Sequence, residues 1–413
     1  MRADKARSPL YAAGFTTAFG AHGVAGALGV ETGSIGESLF TLGVLLAVYD
    51  LAEIVLKPIF GSVSDRIGVK PVIVGGLLVF AVASLLGVFA TSPVLVGAVR
   101  LAQGAAASAF SPAASAAVGR LAENGAVGTY FGKYGSWKGL GYALGPLLGA
   151  GLLALGGFPA LFLALAVLSA AAAAWVGLRV PHISVLPRTR PTVIDLVRQL
   201  GARSFLVPTS VLAATTASLG VAVGFLPLLG TAHHLGLFGS MTLVTVLALI
   251  SALAQPRIGR LRDAGRITTR TGIVVGLCAI AIGLLAVATL PGVVTQFVAA
   301  AVIGLGIGIT TPLAFAHLAA STPAERLGRT MGSAELGREL GDAGGPLLVG
   351  ALASTLSVSL GLAALAAICA LTAVVCALYL RARQGQYQGD QAAAAGLLSP
   401  RPGARQRTQR GDA

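Results

Sequence analysis

The stretch GSVSDRIGVK, Gly61 to Lys70, is a short charged turn between two long apolar runs, and an altered copy, GRLRDAGR, stands at Gly259 to Arg266. A basic, glycine-flanked hairpin between two segments of about 20 apolar residues is what a chain makes where it leaves a bilayer and re-enters it. The composition agrees. Of 413 residues 55% are hydrophobic and 11% charged, and the mean hydropathy is +0.84. Soluble domains carry about a quarter charged residues, so the expected class is an all-α membrane protein. The 56 glycines, against 6% aromatic residues, point to helices packed through small side chains. A net charge of +14 would suit a nucleic acid, but the cations sit in the connections between apolar runs and in the tail. Nucleic acid is therefore not an expected partner. Cys278, Cys369 and Cys376 all lie in apolar runs and read as buried free thiols. The start, MRADKARSPL, reads as the lead of an uncleaved first transmembrane helix, because many more apolar runs follow it.

Twelve such segments can be marked, at about 9–30, 38–60, 72–91, 93–121, 127–155, 158–180, 204–231, 236–258, 269–289, 292–320, 327–354 and 357–381. The even-numbered connections hold the cations, among them Arg66, Lys70, Arg120, Arg179, Arg257, Arg262 and Arg326. The odd-numbered ones hold no Lys or Arg, only Glu31, Glu37, His233 and His234 among titratable groups. By the positive-inside rule both termini are cytoplasmic. The middle connection opens with Pro181, Pro187 and Pro191 and ends in TVIDLVRQLGAR, a basic amphipathic stretch suited to the inner membrane surface. The expected domains are a six-helix bundle over 1–180, this linker over 181–203, a second six-helix bundle over 204–382, and a disordered cytoplasmic tail over 383–413.

The two halves repeat. Pro58, Gly61 and Asp65 match Pro256, Gly259 and Asp263 at an offset of 198 residues, and Pro9 with Thr16-Thr17 matches Pro208 with Thr215-Thr216 at 199. Gly104 and Pro112 match Gly304 and Pro312, and Gly141, Gly145 and Pro146 match Gly341, Gly345 and Pro346, all at 200. Two parallel repeats of this kind place a binding cavity at their interface near the bilayer midplane.

The turn at Gly61, Asp65, Arg66, Gly68 and Lys70 resembles the G-x-x-x-D-R-x-G-[RK]-[RK] loop between helices 2 and 3 of the major facilitator superfamily, with Val69 and Pro71 as departures. The run RLAQG, Arg100 to Gly104, resembles that family's helix 4 signature. GYALGPLLGA resembles its antiporter helix 5 signature at Gly141, Gly145, Pro146 and Gly149, with Ala150 in place of the last glycine. The resemblance implies twelve helices in two pseudo-symmetric six-helix bundles, alternating access, and a gate at the Gly61–Lys70 loop. It also implies a proton-transfer association for Arg100 and, through the helix 5 signature, export by antiport. Arginine stays charged, so Arg100 would act by tuning a neighbouring carboxylate. The helix 5 residues also serve simple close packing and a bend at Pro146.

Charges inside a membrane are costly and mark functional candidates. Helix 2 places Asp50, Glu53 and Lys57 on one face, with Glu53 and Lys57 spaced to pair. Asp50 lies about 12 residues, hence roughly 18 Å, from the outer end of its helix and has no partner within it, which suits loading and releasing a proton. Helix 11 carries Glu335, Arg338, Glu339 and Asp342 as one polar stripe. Arg338 is the repeat counterpart of Lys138, so Lys138 and the helix 11 acids are expected to face one central cavity from opposite halves, either as substrate contacts or as a static ion-pair lock. Proton coupling is assigned to Asp50, Glu53, Glu339, Asp342 and Arg100, and cavity contacts to Lys138, Arg338, Glu335 and His22. His317 is a further histidine able to titrate near neutral pH.

The sequence shows no phosphate-binding G-x-x-x-x-G-K-[ST] loop and no metal-ligand spacing, so no cofactor and no metal are expected. No nucleophile-base pair marks an enzyme. The expected function is proton-coupled efflux of a small amphipathic or hydrophobic compound, by a monomer in a bacterial plasma membrane. Its expected partners are that small molecule, protons and the lipid bilayer. The alternatives are a proton-coupled uptake symporter for a polar metabolite and a transporter-like sensor without flux.

Overall fold

The computed structural model describes residues 2–31, 39–122, 125–183, 201–232 and 235–398. Among these the regular structure is helical throughout. The helices are α1 (Arg2–Glu31), α2 (Leu39–Ile67), α3 (Val69–Gly87) and α4 (Pro93–Arg120). The run Val127–Arg179 breaks at Gly156 and Gly157, where Gly157 takes φ +66°, giving α5 (127–155) and α6 (158–179). Then follow α7 (Arg203–Ala232), α8 (Gly236–Asp263), α9 (Thr269–Thr289), α10 (Val293–Ala320), α11 (Leu327–Thr355) and α12 (Val358–Leu398). Eight described stretches are long and apolar enough to cross a membrane, the α5–α6 run counting as one. The polar stripe Glu335–Asp342 interrupts the apolar character of α11.

The decisive turn differs from the hairpin expected over Gly61–Lys70. The helix α2 runs on to Ile67, α3 starts at Val69, and the reversal rests on Gly68 alone, at φ +97° and ψ 151°. Side chains other than hydrogen clash in that region, so one glycine does the work of a loop. The second copy behaves alike: α8 runs to Asp263, Gly265 takes φ +70°, and Thr268 caps α9 by accepting from the Thr271 amide at 3.1 Å. At the other end of the chain α12 continues to Leu398, past the 382 boundary expected for the bundle. The run from Arg383 to Leu398 holds four Ala and four Gln, which favour a helix, and three Gly, which do not. Residues 184–200 of the linker, Glu37, His233, His234 and residues 399–413 lie outside the described residues.

Large apolar side chains of α3, α6, α9 and α12 point outward, Val82, Leu86, Val167, Leu178, Ile282 and Leu371 among them, as a lipid-facing surface requires. Cys278 joins this outward face, contrary to the expected burial; Cys369 and Cys376 are buried, and all three thiols are free. Polar side chains are drawn to the inside. Lys57, Glu335 and Arg100 are nearly inaccessible.

The halves meet along α2 against α11 and α5 against α8, on the side of the basic connections. Glycines allow the approach: a side chain on Gly61 would meet the Gly328 carbonyl at 2.6 Å, and one on Gly128 the Gly259 carbonyl at 2.8 Å.

Candidate functional site

Two chambers lie between the halves, separated by Lys138 and Tyr142, which line both. The first is bounded by α1, α2, α5 and α11 and is lined by four carboxylates, Asp50, Glu53, Glu339 and Asp342, against two ammonium groups, Lys57 and Lys138. Lys57 Nζ lies 2.9 Å from Glu53 Oε2, the i,i+4 pair expected on α2, and also donates to Glu339 Oε1 of α11. The carboxylate oxygens of Asp50, Glu53 and Glu339 come within 4.8 Å of one another, a grouping that metal-ligand spacing in the sequence does not reveal. The Lys57 ammonium already serves as cation to two of the three. Among the described residues Asp50 and Asp342 have no cation within ion-pair distance. His22 of α1 closes the chamber, its ring 4.4 Å from that of Tyr142.

Behind the dividing wall Glu335 gathers cations from three helices. Lys138 Nζ is 2.9 Å from Glu335 Oε2, Arg338 Nη1 is 3.1 Å away, and Lys57 Nζ is 4.0 Å away. Ser115 donates to the other oxygen at 3.4 Å. The sequence places Lys138 and the α11 acids at one cavity through the repeat, and the geometry brings them together. That a single glutamate takes both repeat-related cations was not legible, because helix rotation decides which of the three α11 acids is reached. Arg100, expected to tune a neighbouring carboxylate, does not pair with one directly among the described residues. Its guanidinium stacks on Tyr49 at 4.2 Å and donates to the Gly20 carbonyl at 3.3 Å rather than touching a carboxylate. Lys133, also inside a helix, lies 6.0 Å from the Tyr130 ring and outside the cluster. His317 lines neither chamber.

The second chamber is framed by α5, α7, α8, α10 and α11. Its charged lining is Lys138 and Arg338, with no carboxylate among the described residues. The rings of Phe131 and Phe315 stack across the two halves, centroids 5.7 Å apart and 9° from parallel. Arg338 sits 5.8 Å above the Phe315 ring and donates to the Tyr142 hydroxyl at 3.5 Å. No sequence signal marked the aromatic pair, each ring looking like ordinary core on its own helix, and Thr215 and Thr216 beside it were marked only as part of the repeat.

On the basic side Asp65 accepts from the amides of Gly328 and Arg329, both at 2.8 Å, and from Arg120 Nη2 at 2.6 Å. It thus caps the N-terminus of α11 in the opposite half, where unpaired amides and the helix dipole favour a carboxylate. Its repeat counterpart Asp263 accepts from Gly128 N at 2.9 Å, Thr129 N at 2.5 Å and Arg262 Nη1 at 3.0 Å, capping α5. Arg66 is exposed and Lys70 half-buried, so Asp65 is the residue of that turn which reaches across. Gly141, Gly145 and Gly149 of α5 all face α1. A side chain on Gly141 would meet the Phe15 carbonyl at 2.8 Å, and one on Gly145 the Gly23 amide at 3.2 Å. Pro146 lies in the middle of this contact with the α5 helix continuing through it.

A family model described as Major Facilitator Superfamily matches residues 10–341 and, in a second match, 209–408. A protein of Erwinia billingiae named multidrug resistance protein MdtG is 32% identical over 149 residues, 36% of either chain. Its namesake in Escherichia coli O1:K1 / APEC is 32% identical over 158 residues, 37% of this chain and 38% of the relative. The match thus spans just over a third of the length of these relatives. Among solved structures, the human organic anion transporter MFSD10 (TETRAN) superposes with a TM-score of 0.74 at 15% identity, covering 91% of this chain and 99% of that one. The E. coli fucose:proton symporter FucP gives 0.73 at 12% identity, covering 90% and 98%. These two likenesses concern the fold.

Proposed function

This chain belongs to the major facilitator superfamily, and from that premise we propose that it is a secondary active transporter which exports a small amphipathic or hydrophobic compound in exchange for protons. The observation that carries the proposal is the pair Asp50 and Asp342, lining the midplane chamber without a cationic partner among the described residues. Carboxylates not committed to an ion pair are free to exchange protons, whereas Glu335, held by Lys138 and Arg338, is committed. Glu53 and Glu339 share Lys57 and form the second rank of the coupling group. Arg100 acts at one remove, through Tyr49, the neighbour of Asp50. The names of the MdtG relatives and the α5 motif support export.

In the proposed cycle the two six-helix halves rock about the chambers, and the Asp65 and Asp263 caps close the basic side, which charge distribution makes cytoplasmic. Both termini lie on that side, and a monomer contains every element of the cycle.

Substrate-induced proton release from purified protein tests the reading. With a panel of lipophilic cations, neutral aromatics and acidic metabolites added between about pH 6 and pH 9, the wild type is expected to release protons. Asp50→Asn and Asp342→Asn are expected to lose part or all of that release. Unchanged release in both variants would move the coupling to Glu339. Inverted vesicles with an imposed proton gradient separate export from uptake by the direction of substrate movement, and inward movement on the native orientation would make the protein a symporter. Absence of proton release and of flux with every compound would favour a sensor.

A further inference from the structure

The two chambers share a wall but carry opposite chemistry, and this divides their labour. The first presents four carboxylates against Lys57 and Lys138; the second presents Lys138 and Arg338 with no carboxylate among the described residues, and an aromatic floor. We propose, resting on the transport reading above, that the second chamber is the substrate site and that it takes uncharged aromatic compounds whose polar end is a hydrogen-bond acceptor such as a carbonyl, while rejecting lipophilic cations.

The donor inventory supports this. An ammonium has three N–H donors and a guanidinium five. Lys138 spends one on Glu335 Oε2 at 2.9 Å and one on Ser111 Oγ at 3.3 Å, leaving a third. Arg338 gives one to Glu335 at 3.1 Å and one to Tyr142 at the long distance of 3.5 Å, and its buried Nε has no acceptor among the described residues. An acceptor entering the chamber therefore meets unused donors without breaking the Glu335 ion pairs. A cation entering it meets two like charges whose counter-ion already faces them from behind, which is repulsive discrimination against the wrong ligand. An anion would satisfy the donors but would lose hydration in a chamber whose two cations, Lys138 and Arg338, are already paired with Glu335. The neutral acceptor avoids both costs. Its ring system has an apolar surface to pack beside, because Phe131 and Phe315, stacked on one another 9° from parallel, both line the chamber. An uncharged substrate also leaves proton exchange to the first chamber, with the Lys138–Tyr142 wall between the two.

Equilibrium dialysis of the full chain in lipid nanodiscs, with partition into empty nanodiscs subtracted, provides the test. The probes are 2-acetonaphthone, a neutral ketone, and 2-naphthylmethylammonium, a cation with the same ring system. One hydrogen bond from a charged donor is worth about 1.5–3 kcal/mol, so the ketone is expected to bind at least about ten-fold tighter. Lys138→Met is expected to remove most of that preference, and Phe315→Leu to weaken the two probes in parallel. Should Lys138→Met fail to fold, Lys138→Gln keeps an N–H donor for Glu335 while removing the charge, and is expected to strengthen binding of the cation and so narrow the preference. The proposal is overturned if the ketone binds no tighter than the cation, binding of neither included, or if the wall variants leave the preference intact. The measurement needs no gradient. Ketone preference without any proton release would refute antiport and leave this assignment standing, and proton release without the preference would do the reverse.

Discussion

The caps at Asp65 and Asp263 are copies of one device, and they are not equally built. Both carboxylates accept from two amides at the start of a helix in the opposite half. At Asp65 the third partner is Arg120, which comes from α4, and the carboxylate is fully buried. At Asp263 it is the sequence neighbour Arg262, with 20% of its side chain exposed. The first cap therefore ties three helices and the second only two. A charge-assisted hydrogen bond gains strength where water is excluded, so duplication preserved the geometry while leaving the energy concentrated in the first half. On the rocking cycle proposed above, the Asp65 side governs how firmly the basic face closes.

The comparison breaks most visibly when each carboxylate is removed. Asp65→Ala strands two amides and a largely buried guanidinium, a loss of about 3–5 kcal/mol in the closed arrangement. Asp263→Ala removes similar bonds at a wetter site, for about 1–3 kcal/mol. Spin labels at exposed Arg66 and Arg326 across the first cap, and at Gly125 and Arg260 across the second, would report the separation of the halves. Asp65→Ala is expected to lengthen both distances in most molecules, Asp263→Ala in a smaller fraction. Equal shifts would show that the partner cation is irrelevant.

A smaller effect separates the two turns beyond the caps. Gly68, at φ +97° and ψ 151°, occupies a region that only glycine populates readily, and a side chain there would meet Pro71 at 3.6 Å, whereas Gly265, at φ +70°, has open space around it. Gly68→Asn is expected to destabilise by about 1–3 kcal/mol and Gly265→Asn by less than about 1 kcal/mol. Thermal unfolding in detergent with an intact wild-type control checks this, and a larger loss at Gly265 would mean that its turn is packed more tightly than its open surroundings suggest.

Much of this was legible beforehand because membrane helices announce themselves. Ser92 and Pro93 open α4 where the apolar run begins, and the Gly156–Gly157 break falls in the gap between two marked segments. The Glu53–Lys57 pair followed from helical spacing, and the meeting of Lys138 with the α11 acids from repeat symmetry. What stayed hidden depends on distances across the chain. The amides that Asp65 caps lie more than 260 residues away, and no local pattern points to them. The aromatic floor is made by Phe131 and Phe315, each unremarkable in its own helix, whose juxtaposition only the docking of the halves creates. The single-residue turn at Gly68 was concealed by a polar stretch that resembles a loop in composition but is helical in fact. The seat of Arg100 was hidden too, because a planar cation can lie on the face of a ring such as Tyr49.

The smallest effect is the most telling about the second cap. Arg262 contacts Asp263 at 3.0 Å and also approaches Thr269 at 3.5 Å, within its own half of the molecule. A partly exposed pair of neighbours is screened by water and salt and gives about 0–1 kcal/mol. Arg262→Ala is therefore expected to leave the label distance between Gly125 and Arg260 almost unchanged, with any residual shift fading as salt is raised. Moving the cation to a separate helix is what gives the first cap its hold. If Arg262→Ala instead opened the second cap as far as Asp263→Ala does, a cation from the same helix would suffice, and the inequality of the halves would have to come from burial of the carboxylate alone.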